Sequence, residues 1–478
     1  MLFDSIVAGA VQRTFASARD AVHLKRCDQW RALHQFLIEQ QREQTLASAQ
    51  YSHPRTSQRW AENDGAGFLY IPIVSMYASR LSVAFDQAPQ TYLRRVGTTD
   101  RLPENDPQVQ QWRQDARHIK FAQTMQQVEE TTTVLGQVIV SPTWVEDRVR
   151  WRVHAPYEVF VEKSDVDPDD ISRAKAIGIE IRAANGERHW LVWGYDRTKR
   201  QWLNGVYDAG GKLLRHPLFQ GPISPYGRHP IVVWQWKLPV SGELWTEPDE
   251  ALLQLARKTN VSVTDLNHGL QSQVHPQCVG FGTPKSAIQE GEVHFDPEQI
   301  VWFGRAKAEE GLEYVTAPLQ ASEHRASIEW WLRLFAVARG LPPTMFMPDG
   351  AVRNLSAKQE ESAELTRLRK RRYPVIIDAM RETFEVHKAV ANYWAKHAGR
   401  VVYEDDIELE VELQPIPVVE DRQASAQATQ IEIDRGTTSA VKLEQQDSGV
   451  SREEAIARIQ RNRADQAAVD GPPDVTTP

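Results

Sequence analysis

Several short constellations in this sequence carry residue types that could do chemistry. Gly280-Phe281-Gly282-Thr283-Pro284-Lys285-Ser286 has the glycines, lysine and serine of a phosphate-cradling loop. It lacks the four-residue spacer between glycines and a glycine directly before the lysine. Pro284 also blocks the helix start whose N–H groups would meet phosphate, so the stretch reads as a turn between strands. Asp165-x-Asp167-x-Asp169-Asp170 has the carboxylate spacing of a calcium loop. Asp170, however, stands where such a loop needs glycine, and Ala176 where it needs a bidentate glutamate. A solvated acidic turn capping the next helix is the simpler reading. Trp144 near Glu146 and Trp245 near Glu247 suit a sugar-cleaving cleft, with paired carboxylates among Glu158, Glu162, Asp165 and Asp167. A chain with 64 acidic residues produces such neighbours readily.

No other catalytic pattern rises above these. The 14 histidines include no His-Glu-x-x-His, and His229 and His275, each before a proline, read as loop residues. No Gly-x-Ser-x-Gly elbow exists. Cys27 and Cys278 are too few for a disulfide framework or a cysteine-rich zinc site, and they suit a reducing cytosol. The expectation is a non-enzymatic protein with no catalytic residues, no metal and no cofactor. Arg367, Arg369, Lys370, Arg371 and Arg372 form the strongest basic cluster. They read as pairing with acids such as Glu360, Glu361 and Glu364, within or between subunits, ahead of contact with phosphate. With 56 Lys+Arg against 64 Asp+Glu, the net charge of −8 rules out a protein that coats nucleic acid electrostatically. No run approaches the ~20 apolar residues of a membrane span, and the N-terminus lacks a signal-peptide pattern.

Elements must hold these residues, and the hydropathy pattern names them. Residues 1–62 read as helical; 67–95 as a helix between short extended pieces; Asp106 to Thr133 as one polar helix closed at Leu135-Gly136. From 137 to 240 apolar and polar residues alternate between Asn-Gly and Gly-Gly turns, a β-rich region holding most of the tryptophans. A long helix follows, with Thr246 as N-cap, and then a strand-and-turn segment from Cys278 to Pro318. A second helix runs from Ser322 to Arg339 with the stripe Ile328, Trp331, Leu332 and Phe335, which predicts helix–helix packing. Gly340 and Pro342-Pro343 end it. A long helix from Ser356 to His397 contains Pro374 and predicts a kink there. In IELEVELQPIPVV, Ile407, Leu409, Val411 and Leu413 alternate with Glu408, Glu410 and Glu412, giving a strand with one buried and one acidic face. The remainder is polar, with an amphipathic helix near Ser451–Arg461. The fold class is α+β.

This order of pieces resembles the portal proteins of tailed bacteriophages, the ring at one capsid vertex through which DNA passes. The matching stretches are LGQVIVSPTW with VHAPYEVFVEKSDVDPDDI, the turn SPYGRHPIVVW, IEWWLRLFAVARGLPPTMF with LSAKQEESAELTRLRKR, and DSGVSREEAIARI. The resemblance implies a wing over 1–245, a first stem helix over 246–277 and a clip over 278–318. It further implies a second stem helix over 319–340, a tunnel loop over 341–355, a long wing helix and strand over 356–419, and a short crown and disordered tail over 420–478. It implies a ring of twelve subunits in the virion, assembled in the host cytoplasm. Double-stranded DNA would pass without sequence specificity, and the partners would be the major capsid protein, the terminase and a head–tail adaptor, with no membrane. Another head–tail connector or scaffold would share the ring without this order, and a carbohydrate-active enzyme is the alternative of a different class.

Physical chemistry agrees with a sliding ring. Each neutralised phosphate adds counterion-release affinity and hence friction; twelve copies at −8 carry about −100 and repel instead. The tunnel-loop residues Thr344, Met345, Phe346, Met347, Pro348 and Asp349 are apolar and acidic, with no Lys or Arg before Arg353. Methionines there can pack against a moving groove without base-specific bonds. Equally, Met345 and Phe346 could plug the core beneath the loop.

Overall fold

A computed structural model of the chain describes residues 21–38, 69–274, 277–281, 301–303, 311–315, 320–341, 346, 355–413, 441–442, 452, 454 and 456–461. Within these, 86, 169, 183–185, 197–198, 209–211, 215–222, 225 and 240–242 are left out. Two compact units comprise Met1–Asp349 with Ala363–Ile416, and Gly350–Ser362 with Pro417–Pro478. In the second, 441–442, 452, 454 and 456–461 are helical, as is its part of the long helix from residue 355. The rest of this section concerns the first unit, a mixture of helices and mainly antiparallel sheets.

Its elements are α1 (Ala21–Leu37), α2 (Ile73–Leu81), β1 (Gln90–Arg95), α3 (Pro107–Ile119), α4 (Phe121–Leu135), β2 (Gln137–Val145), β3 (Arg148–His154), β4 (Val159–Glu162) and β5 (Ala176–Arg182). There follow β6 (Arg188–Asp196), β7 (Gln201–Asp208), β8 (Leu213–Leu214), β9 (Val232–Gln235), α5 (Glu250–Val274), β10 (Gln277–Phe281), β11 (Val301–Phe303), β12 (Gly311–Val315), α6 (Ala321–Ala338), α7 (Leu355–Ala398) and β13 (Ile407–Glu412). The polar helix expected over 106–133 is two helices. Lys120 adopts φ 56°, a left-handed conformation that ends α3 and starts α4. That is uncommon for a non-glycine residue and carries no signature in sequence. Asp106 caps α3, its carboxylate accepting from the Gln108 amide at 2.8 Å.

The β-rich region forms two sheets, β3-β2-β9 and β4-β5-β6-β7-β8, antiparallel throughout. β2 divides the interior because successive side chains point to opposite faces. Ile139 joins one core with Trp30, Leu33, Trp193 and Leu252; Val138 and Val140 join another with Trp112, Met125, Trp234 and Phe384. A strand buried on both faces reads as an apolar run, which explains the Val138-Ile139-Val140 stretch. Gly136, at φ +79°, precedes it under Thr246, whose Oγ1 would lie 2.8 Å from an added Cβ. Thr246 therefore does not cap α5: its amide donates to Gln137 Oε1 at 3.0 Å, and Asp249 Oδ1 accepts from the Leu252 amide at 3.0 Å instead.

The acidic strand β13 pairs antiparallel with β1, more than three hundred residues earlier. Its glutamates do not form the free acidic surface their sequence suggests. Arg94 meets Glu408 at 2.7 Å, Arg95 meets Asp406 at 2.6 Å, and Arg101 meets Glu410 at 3.0 Å and also Glu412. Ile407, Leu409 and Val411 turn inward as their alternation predicts.

The second core closes on Asp115, fully buried on α3. The Tyr403 hydroxyl donates to its Oδ2 at 2.8 Å, Gln111 Nε2 donates to Oδ1 at 3.2 Å, and Arg400 pairs with the same oxygen. His387 Nε2 lies 3.2 Å from Oδ2, while the Trp151 indole N–H donates to His387 Nδ1 at 3.2 Å. Burial alone would raise the Asp115 carboxyl; hydrogen bonding and pairing to His387, then to Arg400, outweigh it and hold the group below its ordinary value. The unfolded chain takes up this proton first, so the contribution is present above about pH 4 and is lost as pH falls through the depressed native value. Asp115→Ala is expected to lower the unfolding free energy by about 3–5 kcal/mol in urea titrations. Asp115→Asn should cost less and flatten the loss of stability on acidification below about pH 4; an unchanged acid profile would count against this account.

Candidate functional site

Among the described residues, the chemistry-bearing motifs of the sequence do not come together in one site. Gly280 is not in a turn: it lies in β10, the central strand of the sheet β11-β10-β12, paired with Trp302 on one side and Leu312 on the other. Gly282–Ser286 lies outside the described residues, as does His275. Asp165 pairs with Lys175 at 2.5 Å and Asp167 with Arg173 at 3.7 Å. Asp170 caps the following short helix through the Ser172 amide at 2.8 Å. Glu158 accepts from the Ala155 amide at 3.0 Å, and Glu162 ends β4 half-buried. Three of the four carboxylates considered for glycoside cleavage are thus engaged with basic side chains or backbone. Among the described residues no group of three His, Cys, Asp or Glu could hold a metal ion, and no helix is long and apolar enough to cross a membrane.

One constellation escapes a sequence search. Ser141 Oγ lies 2.9 Å from His154 Nε2, across the β2–β3 pair, and Glu158 Oε2 is 3.9 Å from His154 Nδ1. Ser141 and His154 are buried, and burial together with Arg152 lowers His154 to about 4, too low for an effective base near neutrality. His229, expected in a loop, is buried edge-on against Trp202 with ring centres 5.0 Å apart. Burial lowers it to about 4 as well. Both histidines are structural.

The basic cluster divides by face. Lys370 and Arg371 are exposed, and Arg367 pairs with Glu364 one turn earlier, as expected. Arg372 points inward: it donates to the Leu81 carbonyl at 2.8 Å, lies 3.6 Å from Glu129 and covers Trp236 at 4.7 Å. It is unavailable to phosphate. Glu129, fully buried, accepts from the Ala84 and Phe85 amides at 3.0 Å, closing the turn after α2. Burial shifts its carboxyl upward and the Arg372 guanidinium downward, each opposed by the other's charge.

The most distinctive feature is the pair α5 and α6 flanking the three-stranded sheet. Asn260 Oδ1 and Thr264 Oγ1 on α5 accept the amides of Ile71 and Leu69 at 2.8 and 3.2 Å, tying down the extended lead-in to α2. The ends of the pair are joined by Arg339 to Asp249, and Lys258 lies 5.0 Å from the Trp331 ring centre. The stripe Ile328, Trp331, Leu332 and Phe335 is the inward face of α6, as its spacing predicts. Phe346 is buried with it, stacked on Tyr77 at 6.3 Å and edge-on to Phe335 at 6.0 Å. Of its two expected roles, Phe346 takes the core plug and not the channel wall. Thr344, Met345, Met347, Pro348 and Asp349 lie outside the described residues. Between α2, α5 and α6 opens an apolar cavity of ≈ 370 Å³ lined by Met76, Thr259, Val263, Leu266, Ile328 and Phe346 among others.

No family model and no curated protein matches the sequence. Among solved structures the chain is similar to one titled "Neck of empty GTA particle computed with C6 symmetry", at a TM-score of 0.35 and 15% identity, over 77% of this chain and 87% of that one. A second, from the virion of a native gene transfer agent particle, has a TM-score of 0.32 and 12% identity, over 76% and 84%. Likeness at such scores fixes neither fold nor function.

Phe346→Ala is expected to cost about 3–5 kcal/mol of stability, because it empties a buried aromatic site. Lys370→Ala and Arg371→Ala should stay within about 0.5 kcal/mol. Chemical denaturation of the three variants distinguishes a core plug from a surface residue.

Proposed function

We propose that this chain is the subunit of a portal ring in a tailed phage or phage-like particle. The observation that carries the reading is the helix–sheet–helix excursion of α5, β10–β12 and α6, followed by the 44-residue α7 with Pro374 inside it and the strand β13. This order coincides with the sequence stretches that resemble portal proteins. In it α5 and α6 are the stem helices, the three-stranded sheet is the clip, and the two β-sheets with α1–α4 and α7 form the wing. Phe346 anchors the tunnel loop in the subunit, leaving Thr344, Met345, Met347, Pro348 and Asp349 to face DNA. Arg367, Lys370 and Arg371 remain candidates for contacts with neighbouring subunits or phosphate.

The role is structural. Double-stranded DNA passes without sequence-specific bonds, and major capsid protein, terminase and head–tail adaptor dock on the ring at the capsid vertex. Asp249–Arg339 ties the two stem helices together at one end, and the acidic subunit avoids gripping the phosphates.

The test is the size and shape of the purified protein. Twelve copies of 54.4 kDa give roughly 650 kDa, a closed ring of the cyclic kind common among homo-oligomers. Analytical ultracentrifugation should find that species, and negative staining should find a central hole with a projecting stem in side view. In a gel-shift titration at 150 mM salt the ring should retain linear duplex DNA no more tightly than non-specific binders do, with K_d weaker than about 1 μM. A chain that stays monomeric across concentration and salt sinks the reading.

A further inference from the structure

α6 carries two unlike apolar surfaces. Its inner side, with Ile328 and Leu332, walls the ≈ 370 Å³ cavity. Its outer side bears Trp330, Leu334 and Val337, 58%, 53% and 61% exposed and spaced i, i+4, i+7. At ~100° per residue the two sets are centred about 170° apart around the helix. A subunit therefore cannot fill its own cavity with its own ridge. Pairing ridge with ridge between two copies would leave both cavities open. Pairing the ridge of one copy with the cavity of the next satisfies both surfaces and leaves a free ridge at one end and a free cavity at the other.

We propose that α6 joins successive copies of this chain head to tail, the ridge Trp330–Leu334–Val337 of one copy seating in the apolar cavity between α2, α5 and α6 of the next. This deepens the ring reading by naming the contact, and it rests on that reading only for closure. Two observations commit the cavity to a second copy. The first is charge. Arg333, exposed beside the ridge, has no ion-pair partner among the described residues. Glu329, at the rim of the cavity beside Arg325, binds that arginine through Oε1 at 2.8 Å, so the arriving Arg333 can share the carboxylate through Oε2. The second is area. Three such side chains, between half and two-thirds exposed, bury roughly 350 Å², which suits the apolar centre of a ~800 Å² copy-to-copy contact whose rim other surfaces supply. A ridge and cavity on one chain that fit each other's character, but face apart, generate a heterologous contact, which closes into a ring or propagates as a filament.

The mixing of two variants tests this directly. Trp330→Glu spoils the ridge and keeps the cavity; Met76→Glu spoils the cavity and keeps the ridge. Each variant alone should be monomeric by light scattering, with Trp330→Ala weakening self-association at least ~30-fold. Mixed in equal amounts, the two glutamate variants should form a 1:1 dimer and nothing larger, because one intact contact remains per pair. Circular dichroism melts establish that each is folded. If Met76→Glu unfolds, the Trp330→Cys/Met76→Cys double variant takes its place and should give a ladder of intersubunit disulfides on mild oxidation, absent from the native chain with its Cys27 and Cys278.

Persistence of the native assembly in Trp330→Glu overturns the proposal while leaving the ring reading intact. Self-association of folded Met76→Glu indicates ridge-on-ridge pairing and overturns it too. An open filament in the native protein, with the 1:1 dimer still formed on mixing, upholds the contact and removes the ring. A native chain that is monomeric at every concentration removes both.

Discussion

Asp115 is fully buried, so its charge must be met by protein, and the groups that meet it come from distant parts of the chain. Gln111 shares its helix, His387 comes from the C-terminal third of α7, and Arg400 and Tyr403 come from the segment leading into β13. Trp151 on β3 fixes the His387 ring from the other side. An uncompensated charge at this depth would cost several kcal/mol. The requirement to satisfy it sets the position of α7 against α3 and β3, and with it the approach of β13 to β1. The aromatic rings of Trp112, Phe121 and Phe384 pack edge-on around the same point, so apolar burial and charge compensation specify one arrangement.

A second buried carboxylate does equivalent work nearer the N-terminal end of α7. Glu129 closes the turn after α2 through backbone amides, and Arg372 joins the Leu81 carbonyl to the same place. α2 in turn forms one wall of the cavity that α5 and α6 complete. The surface proposed to receive a neighbouring copy is thus built on a helix whose end is fixed by ionic contacts deep in the subunit. Rigidity there is useful to a ring, since each contact repeats the orientation of the last.

Periodicity made some of this legible in the sequence. The inward stripe of α6, the alternation of β13 and the strand-rich stretch around Trp190–Trp202 follow from patterns of period 3.6 or 2, which depend only on local neighbours. What escaped depends on partners far along the chain. Arg372 belongs to a cluster expected to pair with acids such as Glu360, Glu361 and Glu364, yet the acid beside it is the distant Glu129. The glutamates of β13 form an acidic face in sequence, yet Arg94 and Arg101 cover them, and Arg95 covers the acids just before the strand. The break at Lys120 escaped because a left-handed lysine has no composition signal. Gly280 was read as a turn residue because glycine is common there, whereas two flanking strands fix it in a sheet. For Phe346 the sequence leaves core plug and loop surface open, and the proximity of Tyr77 and Phe335 decides for the core. The site was less legible than the fold, because no single motif carries it.

The pairing of β1 with β13 has a consequence in time. Arg94 leaves the ribosome long before Glu408, and at about 5–20 residues per second the wait is roughly 15–60 s. Through that interval β1 has no strand beside it, and Trp112, Phe121 and Trp151 lack the half of their core that α7 supplies. The nascent chain therefore exposes these aromatic rings while it is still being made. Its yield in a cell should depend on elongation speed and on chaperones that shield that surface, more than on the stability of the finished fold.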